Sequence, residues 1–498
     1  MRSTTLLALF AALLLFPVSV AAQNTTSRPS SPRMTDDPPV VTRHSSQKGY
    51  TYQATAGFLP LKNSNDEIEA RIFYIAYTRD NVPDTAKRPL LIAFNGGPGS
   101  SSVWLHLGAI GPRRIPMKNG GELPPPPYAV VENDQTWLDF ADLVFLDPVG
   151  TGYSRAVNAE AGRKYFDVNG DISSLTEAIR LYLTRNERWG SPLFLAGESY
   201  GTLRAAGLAG SLINNGIALN GVVLISTILN YQTARFNTGN DLPYILFLPT
   251  YTATAFYHKK LPADLQRNLP ATLAEVEKFA EEEYATALMK GDRLTDSERN
   301  ALVAKLARYT GLSPRYIQHS DLRISIFGFT KELLRDEGRT VGRLDSRIPG
   351  VDALGTGESP DFDPSEAAIR PPYTAAFNQY IRKDLKFQTD LEYYILGGGI
   401  GRWTYPENRY ADTSESLRRA LAKNPYLKVF VAEGYYDLAT PYFAAEYTMT
   451  HMQRPPNLKN NFTIKRYEAG HMMYIHEPSL ERLTREVGEW LNAAANQK

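Results

Sequence analysis

Residues 192–202 read PLFLAGESYGT, an apolar run that ends in the motif Gly197-Glu198-Ser199-Tyr200-Gly201. A helical pattern of small residues, LRAAGLAGSLIN, follows at once. A G-x-S-x-G motif between a buried strand and a helix is typical of a nucleophile elbow, in which a serine sits on a tight, strained turn. The glycines leave room for that turn, and the amides at the helix N-terminus can stabilise a developing anion. The alternative is an ordinary turn, because short motifs recur by chance. The flanking strand and helix favour a nucleophile at Ser199.

The elbow lies within a series of apolar runs of strand length. They occupy residues 89–95, 142–147, 192–196, 221–227, 427–434 and 462–469. Runs without alternation indicate strands buried on both faces, and helical patterns separate several of them. Two earlier stretches, beginning near Tyr50, alternate like half-buried antiparallel strands. The sequence therefore predicts an α/β fold with a doubly wound, mostly parallel sheet.

The chain divides into four predicted parts. They are a signal peptide over 1–22, a flexible linker over 23–48, an α/β-hydrolase core over 49–229 and 411–498, and a helical cap insertion over 230–410. Arg2, the apolar run from Leu6 to Val20 and the small residues before Gln23 are typical of a secretory signal. An uncleaved membrane anchor is the alternative, but the run is short for a bilayer. A second independent domain is the alternative to the cap, and the return to core strands favours the insertion.

Composition excludes several classes of partner. Of the 498 residues, 43% are apolar and 21% are charged, the net charge is +1, and there is no cysteine. These values are typical of a globular chain, and no basic block indicates nucleic acid or an anionic membrane as the main partner. After signal removal we expect no integral membrane span, and export then predicts a secreted or periplasmic protein. An exported chain without disulfides needs a large buried core, which fits a bacterial envelope or secreted enzyme.

A serine hydroxyl needs a histidine base and a carboxylate that orients the base. His471 directly follows the run FTIKRYEA, so it is expected at the same edge of the sheet as the elbow. His476 is its close rival. For the acid, Asp437 follows the run LKVFVAEG and lies between serine and histidine, in the order Ser…Asp…His. Asp147 also ends a strand, but it precedes the serine, and a structural role is favoured there.

An oxyanion needs hydrogen-bond donors near the serine. The glycine-rich loop 95–100, NGGPGS, follows the run PLLIAF and can bring a backbone amide to the elbow. We predict that the amides of Gly97 and Tyr200 form the oxyanion hole. Phosphate binding is the competing interpretation of such a loop, but no G-K-[ST] follows it. No cofactor and no metal site are predicted.

Several long motifs together resemble the serine carboxypeptidase family. They are NGGPGSS at 95–101, LDPVGTGYS at 146–154, GESYG at 197–201, Asp437 and the segment AGH at 469–471. The resemblance runs in order from about residue 50 to the end of the chain. It implies release of C-terminal residues from peptides, with Ser199, Asp437 and His471 as the triad and Gly97 and Tyr200 as oxyanion donors. It also implies that Asn95 and Glu198 hold the terminal carboxylate of a peptide substrate.

The chain departs from the family at three positions. Ala93 stands where the family usually has Trp, Ser100 where it usually has Cys, and Ala109 where it usually has Glu. In the family that Glu shares a proton with the Glu before the serine, so its loss affects recognition of the terminal carboxylate. As the replacement, we hypothesise an arginine, because guanidinium pairs bidentately with carboxylate. The candidates are Arg113, Arg114 and Arg204, and ordinary structural ion pairs are the alternative.

Two competing functions remain at this point. An esterase or acyltransferase would use the same triad on another substrate. A non-catalytic binding protein could share the fold, although it would have no need to keep all three triad residues. The sequence predicts neither the oligomeric state nor the side-chain preference.

Overall fold

A ten-stranded mixed sheet organises the computed structural model, which describes residues 34–497. The predicted signal peptide, 1–22, and the first part of the predicted linker lie outside the described residues. The described residues form fourteen strands, of which β5 with β6 and β11 with β12 make two separate two-stranded sheets. The strands are β1 (Val40–Ser45), β2 (Thr51–Lys62), β3 (Ile68–Arg79), β4 (Leu90–Phe94), β5 (Arg113–Arg114), β6 (Val131–Glu132), β7 (Asp142–Leu146), β8 (Arg155–Ala156), β9 (Leu193–Ser199), β10 (Gly221–Thr227), β11 (Thr340–Val341), β12 (Pro349–Gly350), β13 (Lys428–Gly434) and β14 (Phe462–Tyr467).

The strand order explains why the apolar runs lack alternation. The order is β1-β2-β3-β7-β4-β9-β10-β13-β14, with β8 paired to β3. Pairs from β1 to β7 are antiparallel, and all pairs from β7 to β14 are parallel. The six predicted apolar runs are the six parallel strands. The prediction of a doubly wound, mostly parallel sheet is confirmed.

Helices cover both faces of the sheet. The helices of the described residues, including α5 to α10 of the predicted insertion, are α1 (Val103–Leu105), α2 (Ala159–Arg163), α3 (Val168–Arg185), α4 (Tyr200–Asn214), α5 (Leu242–Tyr257), α6 (Leu269–Phe279), α7 (Ala285–Lys290), α8 (Asp296–Thr310), α9 (Pro314–His319), α10 (Ile326–Glu332), α11 (Pro364–Lys383), α12 (Ser414–Lys423), α13 (Tyr442–His451) and α14 (Glu477–Ala495). In β9, Leu193 and Leu195 pack with α3, α4 and α12, whereas Phe194 and Ala196 pack on the face that holds α11 and α14. Burial on both faces is what the unbroken apolar runs require.

Two segments differ from the predicted boundaries. Residues 40–45 lie in the predicted linker, yet they form the edge strand β1, because every second residue of VVTRHS turns inward along β2. Within the predicted insertion 230–410, helices α5 to α10 share one hydrophobic cluster. Helix α11 instead packs Tyr373, Phe377 and Tyr380 into the core beneath the sheet. That last part of the insertion is therefore core rather than cap. Among residues 34–497, no helix has the length and apolar character that crossing a membrane requires.

Candidate active site

Ser199 lies at the junction of β9 and α4, with φ 60° and ψ −132°. A positive φ is strained for a residue with a side chain, and such strain clusters at functional sites. The neighbouring glycines make the turn possible. A Cβ on Gly197 would lie 2.1 Å from the carbonyl oxygen of Gly201, and a Cβ on Gly201 would lie 2.9 Å from that of Phe94. The local sequence therefore determines the elbow.

Asp437 and His471 form a buried hydrogen-bonded pair. The Nδ1 of His471 lies 2.7 Å from Oδ2 of Asp437. The other carboxylate oxygen accepts the amides of Ala439 and Thr440 at 2.7 and 3.0 Å. The Thr440 hydroxyl also donates to Oδ2, at 2.7 Å. Burial lowers the pKa of His471, but the Asp437 carboxylate, with a contribution from Glu198, outweighs burial, and the pKa is raised above the ordinary histidine value. A carboxylate with this geometry orients the imidazole with Nε2 free for a proton.

Ser199 and His471 line one cavity of about 160 Å³. Its other lining residues include Asn95, Gly97 and Glu198. Among the described residues there is no hydrogen bond between the Ser199 hydroxyl and His471. Catalytic hydrogen bonds are often long in a free enzyme and tighten when substrate binds. Ser199 and His471 thus line one cavity, and Asp437 is joined to it through its hydrogen bond with His471.

The glycine-rich loop rests directly on the elbow. A Cβ on Gly96 would lie 2.5 Å from the amide nitrogen of Tyr200, so only glycine allows this approach. Gly97 follows with φ 102° and lines the cavity. The loop is anchored by Asn95, whose Oδ1 accepts the amide of Leu105 at 3.0 Å. The two predicted oxyanion donors, Gly97 and Tyr200, therefore belong to segments in direct contact.

Glu198 is buried beside the triad. Only 3% of the residue is exposed, and its Oε1 accepts the side-chain amide of Asn95 at 2.9 Å. Burial raises the pKa of Glu198 to about 7, and the nearby Asp437 carboxylate adds to the shift, against the opposing effects of His471, Tyr474 and Asn95. Near neutral pH the Glu198 carboxyl is thus able to carry a proton. This residue and Asn95 are the two that the sequence predicts for carboxylate binding.

The three arginines hypothesised to replace the missing glutamate are engaged elsewhere. Arg204 is fully buried and pairs with Asp171 at 2.8 Å, and it also donates to the carbonyl oxygen of Asn95. Arg113 pairs with Glu132, and Arg114 pairs with Glu477. None of the three lines the cavity, so the hypothesis that one of them binds the terminal carboxylate of the substrate is wrong. All three arginines instead form ion pairs, as the alternative interpretation predicts.

The arginine that does line the cavity is Arg343, which sequence reasoning missed. Its Nε lies 3.7 Å from Asp363, so that ion pair is loose. Thr440 was also missed, although its position three residues after Asp437 is a signal that a polar side chain caps the carboxylate. Trp104 also lines the cavity, and its indole N–H donates to the Ser100 hydroxyl at 2.8 Å.

The rival residues lie outside the cavity. The ring of His476 makes a hydrogen bond of 2.8 Å with the Ser479 hydroxyl. Asp147 accepts the amide of Ser102 at 2.8 Å and is buried, and burial raises its pKa to about 6. Asp147 thus fits the structural role favoured from its sequence position, and His476 does not line the cavity with Ser199.

The serine carboxypeptidase family model matches residues 45–477. The chain belongs to the serine carboxypeptidase family. A pheromone-processing carboxypeptidase of Sordaria macrospora is 34% identical over 145 residues, which is 27% of this chain and 19% of that protein. One from Saccharomyces cerevisiae is 28% identical over 176 residues, 33% of this chain and 23% of the relative. These matches span less than a quarter of the relatives' length.

A solved structure supports the fold. The crystal structure of a prohormone-processing carboxypeptidase from Saccharomyces cerevisiae aligns with a TM-score of 0.52 and 17% identity. It covers 88% of this chain and 91% of that chain. At this identity the likeness concerns the architecture, which is the doubly wound sheet described above.

Proposed function

We propose that this chain is a serine carboxypeptidase that releases C-terminal residues from peptides through an acyl-enzyme. The observation that carries the proposal is that His471, hydrogen-bonded to the buried Asp437, lines the same cavity as the strained Ser199. A strained nucleophile, a base and an orienting carboxylate together are the requirement for acyl transfer by serine. Membership of the family supports the same activity.

In the proposed reaction the Ser199 oxygen attacks the scissile carbonyl carbon and its proton passes to Nε2 of His471. Asp437 accepts the Nδ1–H and stabilises the imidazolium that forms. The amides of Gly97 and Tyr200 stabilise the oxyanion, and each such donor contributes about 3 kcal/mol in comparable sites. His471 then gives its proton to the leaving amine, and the C-terminal residue departs. Water, deprotonated by His471, hydrolyses the acyl-enzyme and regenerates the serine hydroxyl.

We propose that Asn95 and Glu198 bind the terminal carboxylate of the peptide. The hydrogen bond between them, and the position of both side chains in the cavity, support this role. A protonated Glu198 can donate to a carboxylate, whereas an ionised one would repel it. The test compares a blocked dipeptide with its C-terminal amide. A much higher kcat/KM for the free acid is expected, and equal values would refute recognition of the terminal carboxylate.

An esterase or acyltransferase is the second candidate, and Ala109 favours it because the usual second carboxyl is absent. A simple acyl ester, assayed beside the blocked dipeptide, separates the two. Labelling by a fluorophosphonate, lost in Ser199→Ala, tests whether the chain is a serine hydrolase at all. Failure of the wild-type protein to label would leave the non-catalytic binding protein as the explanation.

We also propose that the protein is exported to the periplasm or secreted, after cleavage of the signal before Gln23. The charged start and short apolar run support this. The absence of cysteine fits a bacterial envelope enzyme. N-terminal sequencing of the protein recovered outside the cytoplasm should begin at or near Gln23, and an intact Met1 would contradict cleavage.

A further inference from the structure

Three buried polar atoms beside the candidate site have no hydrogen-bond partner among the described residues. They are Oε2 of Glu198 and the hydroxyls of Tyr373 and Tyr474. The three residues are 3%, 0% and 2% exposed. A buried polar atom without a partner costs about 1–3 kcal/mol, so three together call for a common explanation.

The two tyrosines come from different parts of the chain. Tyr474 lies in the short helical turn that follows His471, and Tyr373 lies on α11. Both pack against one glycine: a Cβ on Gly108 would lie 2.5 Å from the Tyr474 ring and 2.6 Å from the Tyr373 hydroxyl oxygen. Gly108 immediately precedes Ala109, the position at which the family usually carries its second glutamate. The tyrosines thus fill the space beside that segment.

The Tyr474 hydroxyl is close enough to Glu198 to lower the pKa of that carboxyl as a hydrogen-bond donor, although the two atoms do not meet the strict geometry of a formed hydrogen bond. A hydrogen bond between them would satisfy two of the three unpartnered atoms. Asn95 already occupies the other oxygen of Glu198. The unpartnered oxygen is therefore the one that the family's second carboxyl would be expected to serve.

We propose that Tyr474, backed by Tyr373, takes the place of the absent second carboxyl as the partner of Glu198. Tyr474 is a positioning residue: it acts on the terminal carboxylate of the substrate through Glu198. The inference rests on the proposed function, because it concerns the same carboxylate site. In this proposal neutral tyrosine hydroxyls, and not an arginine, replace the missing glutamate.

The exchange of a carboxyl for a phenol has a chemical consequence. Two carboxyls share one proton and titrate as a coupled pair in the acidic range, whereas a phenol keeps its proton up to about pH 10. Glu198 then titrates in a single step, and the phenol can donate to its ionised form. Besides burial, the groups that act on the pKa of Glu198 are His471, Tyr474, Asn95 and Asp437. The charges of Glu198 and Arg114 both act on the pKa of Tyr373.

The direct test is a pH titration of the Glu198 carboxyl. Carbon-13 NMR of protein labelled at the glutamate carboxyl carbon monitors the titration. The signal is assigned by its loss in Glu198→Gln. Tyr474→Phe removes a donor to the ionised carboxyl, so the midpoint should rise by about one pH unit. Tyr373→Phe should shift it less, in the same direction. Tyr251→Phe is the matched control, because its buried hydroxyl donates to the Ile324 carbonyl oxygen at 3.2 Å within the α5–α10 cluster.

An unchanged midpoint in both Tyr474→Phe and Tyr373→Phe, or an equal shift in Tyr251→Phe, would overturn the inference. The kinetic experiment measures kcat/KM against pH for the free-acid dipeptide and for an acyl ester. The alkaline limb of the dipeptide profile should move with the Glu198 midpoint, whereas the alkaline limb of the ester profile should stay in place. A wild-type protein that cleaves no free-acid peptide would refute the proposed function, and the titration would still decide the inference. Because phenylalanine preserves the ring packing, thermal unfolding should be little changed in all three variants.

Discussion

Replacement of Arg204 by methionine tests the polar network beneath the elbow. Arg204 and Asp171 have side chains that are 1% and 3% exposed, and their Nε–Oδ2 distance is 2.8 Å. The Tyr200 hydroxyl donates to the same carboxylate oxygen at 3.0 Å. Arg204→Met leaves Asp171 buried with that hydroxyl alone. Breaking a buried pair from one side costs about 3–5 kcal/mol, so the free energy of unfolding should fall by that amount.

The loss should depend on pH in a defined direction. Burial raises the pKa of Asp171 even with Arg204 present, and removal of the guanidinium raises it further. A raised folded-state pKa gives stability that is present at low pH and lost as the pH rises through it. Arg204→Met should therefore be destabilised more at pH 8 than at pH 5, because the lower pH favours the protonated form of Asp171.

Urea unfolding followed by tryptophan fluorescence measures these differences, with the m-value as the check on comparable transitions. The double variant Asp171→Leu, Arg204→Met leaves no buried charge at these two positions. It should recover at least half of the lost free energy of unfolding. Because Arg204 also holds the carbonyl of Asn95, kcat/KM in the single variant should fall by about tenfold or more. A loss below about 1 kcal/mol, a loss independent of pH, or a double variant as unstable as the single one would refute the reasoning.

Three further predictions concern the triad and the elbow. Thr440→Val removes the hydroxyl that donates to Asp437, so fluorophosphonate labelling should slow about tenfold; an unchanged rate would contradict a role in holding the carboxylate. Because Asp437 raises the pKa of His471, the acidic limb of kcat/KM should lie above about pH 6.5 and move to lower pH in Asp437→Asn; a limb that stays in place would argue against His471 as the titrating base. Gly197→Ala places a Cβ 2.1 Å from a backbone carbonyl oxygen, so labelling should be lost, whereas Gly355→Ala, with open space around it, should label normally.

Much of the fold and part of the site were predictable because they depend on local pattern. Unbroken apolar runs identified all six parallel strands, since burial on both faces leaves no polar positions to alternate. The elbow followed from two glycines around Ser199. The positions of Asp437 and His471 followed from the rule that loops after parallel strands meet at one edge of the sheet. The edge strand β1 was missed because it lies in a stretch rich in Ser, Thr and Pro.

The partners of the charged groups were decided only by the tertiary structure. The sequence marks Arg204 as a cation near the elbow, but its contact with Asp171 joins two helices through a buried space that no spacing rule describes. The same is true of Tyr373, which reaches the Glu198 region because α11 packs beneath the sheet instead of capping it. Periodicity reports which side of an element is buried, and not which distant element covers it. The proposed nucleophile, Ser199, is therefore predictable from residues 192–202, whereas the surroundings of Glu198 depend on the packing of three separate segments.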